Sequence, residues 1–90
     1  MALSLKAALQ SHGDPIVGSW LGMAHTGIAE IMARAGFDFL TLDLEHTSIT
    51  LAQAEDMIRV IQLSGTPCLA RLSGHDWIQA KRIMDMGATG

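Results

Sequence analysis

The stretch Phe37-Asp38-Phe39-Leu40-Thr41-Leu42-Asp43-Leu44-Glu45-His46 decides the fold. Its centre is almost continuously apolar and then breaks into two acids and an imidazole. A strand that reads this way is buried on both faces, as in a parallel sheet covered by helices. With alternating side chains, Asp43 and Glu45 share a face with Phe39 and Thr41, whereas Leu40, Leu42 and Leu44 point the other way, towards helices. His46 lies just past the strand, where alternation need not hold. Asp38 precedes the buried part and belongs at the opposite, stabilising end.

On either side the pattern repeats. Ile16 to Gly22 and Pro67 to Leu72 are apolar runs of strand length, and each is followed by a helix that stops at a glycine. Thr26 to Ala35 sets Ile28, Ile31, Met32 and Ala35 on one stripe and meets Gly36. Thr50 to Ser64 opens with the capping-box spacing Thr50-x-x-Gln53, carries Leu51, Ala54, Ile58 and Ile61 on one face, and meets Gly65. Asp76 to Met86 repeats the device, with Asp76-x-x-Gln79 in front and Gly87 behind. Trp77 and the methionines at helical spacing are expected in the core. Residues 1–14 are expected to hold a short leading helix, roughly Leu3 to Gln10, with His12 in a turn.

Strands alternating with helices call for right-handed crossovers and a parallel sheet. The 90 residues are thus expected to form a single partial domain, βαβαβα over residues 15–90, with a fourth strand beginning near Ala88. Three βα units amount to about 94 residues of an eight-unit barrel of about 250. The expected fold class is α/β, the N-terminal part of a (β/α)8 barrel.

Composition agrees. The chain is 49% hydrophobic and 17% charged with 9 glycines and 2 prolines, too apolar for disorder. A mean hydropathy of +0.28 is high for a domain of this size folding alone, so more protein is expected around it. A net charge of −3 leaves no basic footprint for nucleic acid or anionic membrane. There is no apolar run of membrane-spanning length and no signal core within residues 1–14, so a soluble cytoplasmic chain is expected. Cys68, the single cysteine, forms no internal disulfide and is expected to pack as a small apolar residue.

In parallel α/β folds the reactive groups gather at the carboxyl ends of the strands. Asp43, Glu45 and His46 together could bind a metal, orient a water or form a general acid–base pair; they could equally make a solvated loop that serves the next helix. Arg71 ends the third run. Its fork of donors suits a carboxylate or an enolate oxygen, and an internal ion pair with Asp43 or Glu45 is the structural alternative. Trp20, between Gly18 and Gly22, could wall a pocket or fill the core. His25 reads as a loop histidine, and His75 as part of a turn. No phosphate-binding glycine loop is present.

Taken in order, Leu5-Lys6-Ala7-Ala8-Leu9, Gly18-Ser19-Trp20-Leu21-Gly22, Ala33-Arg34-Ala35-Gly36-Phe37-Asp38-Phe39, Leu42-Asp43-Leu44-Glu45-His46, Ala70-Arg71 and Lys81-Arg82-Ile83-Met84-Asp85-Met86-Gly87-Ala88 resemble the start of the HpcH/HpaI aldolase family. Leu44 and Leu72 stand where a typical member has glycine and proline. The resemblance implies a metal-dependent class II aldolase that cleaves a 4-hydroxy-2-oxo acid to pyruvate and an aldehyde. It implies catalytic roles for His46, Arg71 and Asp85, substrate contact by Arg71 and Trp20, and supporting roles for Asp43 and Glu45. It also implies magnesium or manganese as Lewis acid, held by carboxylates of later strands and by no residue of this chain, so that the 90 residues alone would be inactive. Asp85, at the carboxyl end of its helix, lies at the end of the barrel opposite His46 and could reach it only from a neighbouring subunit, which implies a homo-oligomer. The alternatives are a noncatalytic module that binds a small acid or mediates assembly, and a citrate-lyase-type acyl-CoA lyase.

Overall fold

The computed structural model describes residues 5–10 and 13–90; the expected contributions of Leu3 and His12 lie outside the described residues. The elements are α1 (Leu5–Gln10), β1 (Gly18–Leu21), α2 (Thr26–Ala33), β2 (Phe39–Asp43), α3 (Leu51–Leu63), β3 (Cys68–Arg71) and α4 (Trp77–Asp85). The three strands form a parallel sheet in the order β1-β2-β3. Past α4 the chain turns back along β3, where Thr89 donates its N–H to the Cys68 carbonyl and Ala70 donates to the Gly90 carbonyl. These bonds lay residues 88–90 along the β3 edge. Three parallel strands in sequence order with helices between them make the fold α/β, in the order expected for the N-terminal part of a (β/α)8 barrel.

One face of β2 is sealed by helices. Leu40 and Leu42 are fully buried among Ala54, Ile58 and Ile61 of α3 and Ala29 of α2. Burying such aliphatic side chains contributes about 2 kcal/mol each. The α3 stripe forms as expected and gains Met57, which is 1% exposed. The α2 stripe is rotated from the expected one. Ala29 and Ala33 face the sheet, Ile28 and Met32 pack at the margin, and Ile31 is 69% exposed. Small alanines let α2 lie close to the strands and to α3, which pushes the bulky Ile31 outward. Trp77, expected in the core, is 84% exposed on the first turn of α4.

The helix ends follow local chemistry. Thr50 and Gln53 exchange both bonds of a capping box. At α4 only half of that device forms: Asp76 accepts from the N–H groups of Ile78 and Gln79, while the Gln79 side chain turns to Ser73 instead. Gly65 and Gly87 close α3 and α4 with positive φ of 82° and 107°. In each case the next residue donates back to the carbonyl five residues earlier, Thr66 to Ile61 and Ala88 to Ile83, which satisfies the last turn. Asp38 clamps the amino end of the sheet: its carboxylate accepts from the Val17 N–H at 2.8 Å, and its own N–H donates to the Val17 carbonyl.

Candidate active site

The carboxyl ends of the three strands form one edge, and the register decides which side chains meet there. Trp20 lies beside Thr41, Thr41 beside Leu69, and one step further on Asp43 lies beside Arg71. Period-two alternation puts this set on the face away from the helices.

Asp43 organises the edge. Its carboxylate accepts from Arg71 at both oxygens, Nη2 to Oδ2 at 2.6 Å and Nε to Oδ1 at 3.2 Å. Oδ1 also accepts from the backbone N–H groups of Glu45 at 2.9 Å and His46 at 3.1 Å. The Arg71 guanidinium, with those two N–H groups, holds the Asp43 carboxyl well below the usual carboxylate range, against the opposing effect of burial. The same two N–H bonds bend the chain, so β2 stops at Asp43 rather than running on to Glu45 as its sequence suggested.

Arg71 is held on two sides. Its Cζ lies 4.5 Å from the centroid of the Trp20 ring, so the indole covers one face of the guanidinium. Trp20 is 56% exposed on this edge. Glu45 Oε1 is 3.8 Å from Arg71 Nε and 2.8 Å from His46 Nε2. Asp43, Arg71, Glu45, His46 and Trp20 are thus linked through direct contacts. Among the described residues, Nη1 of Arg71 has no hydrogen-bond partner.

Three features were hidden in the sequence. Gly18 is covered by the Phe39 ring, which lies 2.3 Å from where a Cβ would stand. His25 caps α2, accepting the Ile28 N–H on Nδ1 at 3.2 Å. Thr47 donates its hydroxyl to the Asp43 carbonyl, a bond that the Asp-x-x-x-Thr spacing could have suggested. Asp85 is exposed at the last turn of α4, near Arg59 and Arg82 on the outer α3–α4 face. Because α4 runs back against the strands, that turn lies at the end opposite His46, and one copy of the chain does not bring the two together.

A divalent ion needs several anionic or imidazole donors converging on one point. Among the described residues, no three His, Cys, Asp or Glu side chains do so. Asp43 already accepts four hydrogen bonds.

No family model matches the chain. Curated relatives do. It is 41% identical over 87 residues to a 4-hydroxy-2-oxovalerate aldolase of Novosphingobium aromaticivorans, covering 94% of this chain and 32% of the relative. It is 37% identical over 87 residues to a 4-hydroxy-2-oxo-heptane-1,7-dioate aldolase of Shigella sonnei, covering 97% and 33%. An HpcH/HpaI aldolase structure from Desulfitobacterium hafniense superposes with a TM-score of 0.82 at 31% identity, over 97% of this chain and 34% of that one. The chain belongs to the HpcH/HpaI aldolase family.

The chain spans about a third of the length of the curated HpcH/HpaI-type relatives it matches. A citrate synthase also superposes, with a TM-score of 0.85 at 27% identity, over 94% of this chain and 34% of that one. Among the described residues of this family member, no helix is long and apolar enough to cross a membrane.

Proposed function

We propose that the protein carrying this chain is a carbon–carbon lyase that cleaves a 4-hydroxy-2-oxo acid into pyruvate and an aldehyde, reversibly and in the cytoplasm. The observation that carries the reading is the Arg71 fork, held in plane by Asp43 and Trp20 at the carboxyl edge of a parallel sheet. The aldolase relatives support it.

In retro-aldol cleavage a base takes the proton of the C4 hydroxyl, the C3–C4 bond breaks, the aldehyde leaves, and the enolate of pyruvate accepts a proton at C3. Negative charge gathers on the keto oxygen of the substrate. Arg71 can meet it with the N–H groups that Asp43 leaves unused, and donors already fixed in place stabilise such charge without reorganising. Trp20 and the aliphatic stem of Arg71 wall the oxo acid. His46 stands at the rim with Nε2 facing Glu45. That contact favours the proton on Nε2 and leaves Nδ1 to take and return the proton of the reaction. Asp43 and Glu45 support these two groups and are not expected to touch substrate.

The remaining roles follow the resemblance. Asp85 would partner His46 from a second copy of the chain in a homo-oligomer. The divalent ion, magnesium or manganese, would take its carboxylates from residues other than those described and would supply a Lewis acid for the enolate. The fold likeness to a citrate synthase favours a second reading, a citrate-forming condensation.

The test is pyruvate release from a 4-hydroxy-2-oxo acid, with added manganese and with chelator, by this chain and by the longest reading frame containing it. Manganese-dependent release by the long form supports the proposal. Silence from both under all conditions leaves a small-acid-binding or assembly module as the better account. In an active form, Arg71→Ala should lower turnover by at least about a hundredfold, the cost of removing an oxyanion donor. A loss under tenfold would remove Arg71 from the mechanism.

A further inference from the structure

We infer that Thr47 is a positioning residue for His46, acting as a latch that closes the β2–α3 loop. The inference rests on the aldolase reading for its kinetic part only. The loop leaves the sheet at Asp43 and carries Glu45 and His46 before α3 begins. Leu44, 6% exposed, anchors its first residue in the core. The Asp43 carboxylate holds the loop from inside by accepting the Glu45 and His46 N–H groups. The Thr47 hydroxyl closes it by donating to the carbonyl of the same Asp43, and the same oxygen accepts the Ile49 N–H at 3.3 Å. The Thr47 methyl lies 3.5 Å from where a Cβ on Gly22 would stand, at the exit of β1.

One side chain therefore joins the end of β2, the approach to α3 and the exit of β1, and the residue immediately before it is His46. The hydroxyl both donates and accepts, which a methyl cannot do. Valine keeps the shape and loses both bonds. Serine keeps both bonds and loses only the methyl. His46 is 69% exposed in its side chain and pairs with the neighbouring Glu45, so its direction depends on the backbone beneath it.

The test compares Thr47→Val and Thr47→Ser with the unmodified protein, using the longest reading frame containing the chain. In Thr47→Val the Glu45 and His46 amides should exchange with solvent at least about tenfold faster, and kcat should fall about tenfold while KM for the oxo acid stays within threefold. Thr47→Ser should restore both the exchange rates and kcat. A valine variant whose His46 amide exchange and kcat stay within twofold of the parent would overturn the inference. So would a fall in kcat that serine does not restore. A wild type that releases no pyruvate would sink the aldolase reading alone, and amide exchange would still decide the latch.

Discussion

Asp43 and Arg71 face each other as register neighbours on β2 and β3, and their side chains meet in a two-bond fork with Nη2 2.6 Å from Oδ2. The pair satisfies two needs at once. It pairs an arginine that ends a buried strand, and it leaves the carboxylate positioned to hold the Glu45 and His46 N–H groups. The ion pair is formed, and it is compatible with the active-site reading of the same residues.

The pair has a pH signature. Arg71 and two backbone N–H groups keep the Asp43 carboxyl well below its ordinary range, so its folded pKa is depressed relative to the unfolded chain. Such a group contributes stability that is fully present above the unfolded value, near pH 4, and is lost as pH falls through the folded value. Asp43→Asn should thus be less stable than the parent at pH 6, and the gap should close progressively below about pH 4. Urea unfolding of both proteins across pH 2 to 7 checks this; a constant gap would contradict it.

Cys68 gives the opposite limb. The thiol is fully buried on β3, and burial pushes it up to about 11. The unfolded thiol ionises near pH 8.5, so the folded state holds its proton while the unfolded state releases it. Stability should fall between about pH 9 and 11 by roughly 1.4 kcal/mol per pH unit from this group. Cys68→Ala should flatten that fall, and the native thiol should resist alkylation at pH 8. Rapid labelling of folded protein would show that the strand opens.

Much of this was legible in the residues. Gly36, Gly65 and Gly87 mark helix ends because a positive φ after a helix suits only a residue without a Cβ. The Leu40-Thr41-Leu42 run marks a strand buried on both sides. The edge groups Asp43, Glu45, His46 and Arg71 followed from where parallel strands end. What remained hidden depends on distances between elements. Which α2 residues face the sheet is set by how close the helix can approach, and alanine permits an approach that hydrophobicity alone does not rank. Thr47 is invisible as long as Asp43 is read as continuing a strand and not bending it. Asp85 shows the limit: its place on α4 was readable, and its pairing with His46 belongs to the proposal alone.

Gly18 and Phe39 carry a stability prediction. The ring occupies the space a Cβ at position 18 would need, and the two residues are register neighbours on β1 and β2. Gly18→Ala should cost about 1–3 kcal/mol, the usual range for overpacking. In a Phe39→Ala background the same change should cost nearly nothing, because the ring is gone. A double-mutant cycle on unfolding free energies measures the coupling; additive effects would mean the ring rotates away freely.

Trp20 makes substrate entry observable if the aldolase reading holds. The chain has two tryptophans, and they sit in different surroundings: Trp20 stacks on Arg71, whereas Trp77 is 84% exposed on α4. An indole against a guanidinium responds to anything that draws the cation, and a 2-oxo acid at Arg71 would do so within van der Waals reach of the ring. In the longest reading frame containing the chain, with Trp77→Phe as background, the part of the emission that a further Trp20→Phe removes should change saturably as pyruvate is added. Adding Arg71→Lys should leave the emission of Trp20 present but weaken its response at least about tenfold in ligand concentration, since lysine keeps the charge without the planar fork. An equal response in both proteins would place the oxo acid away from Arg71.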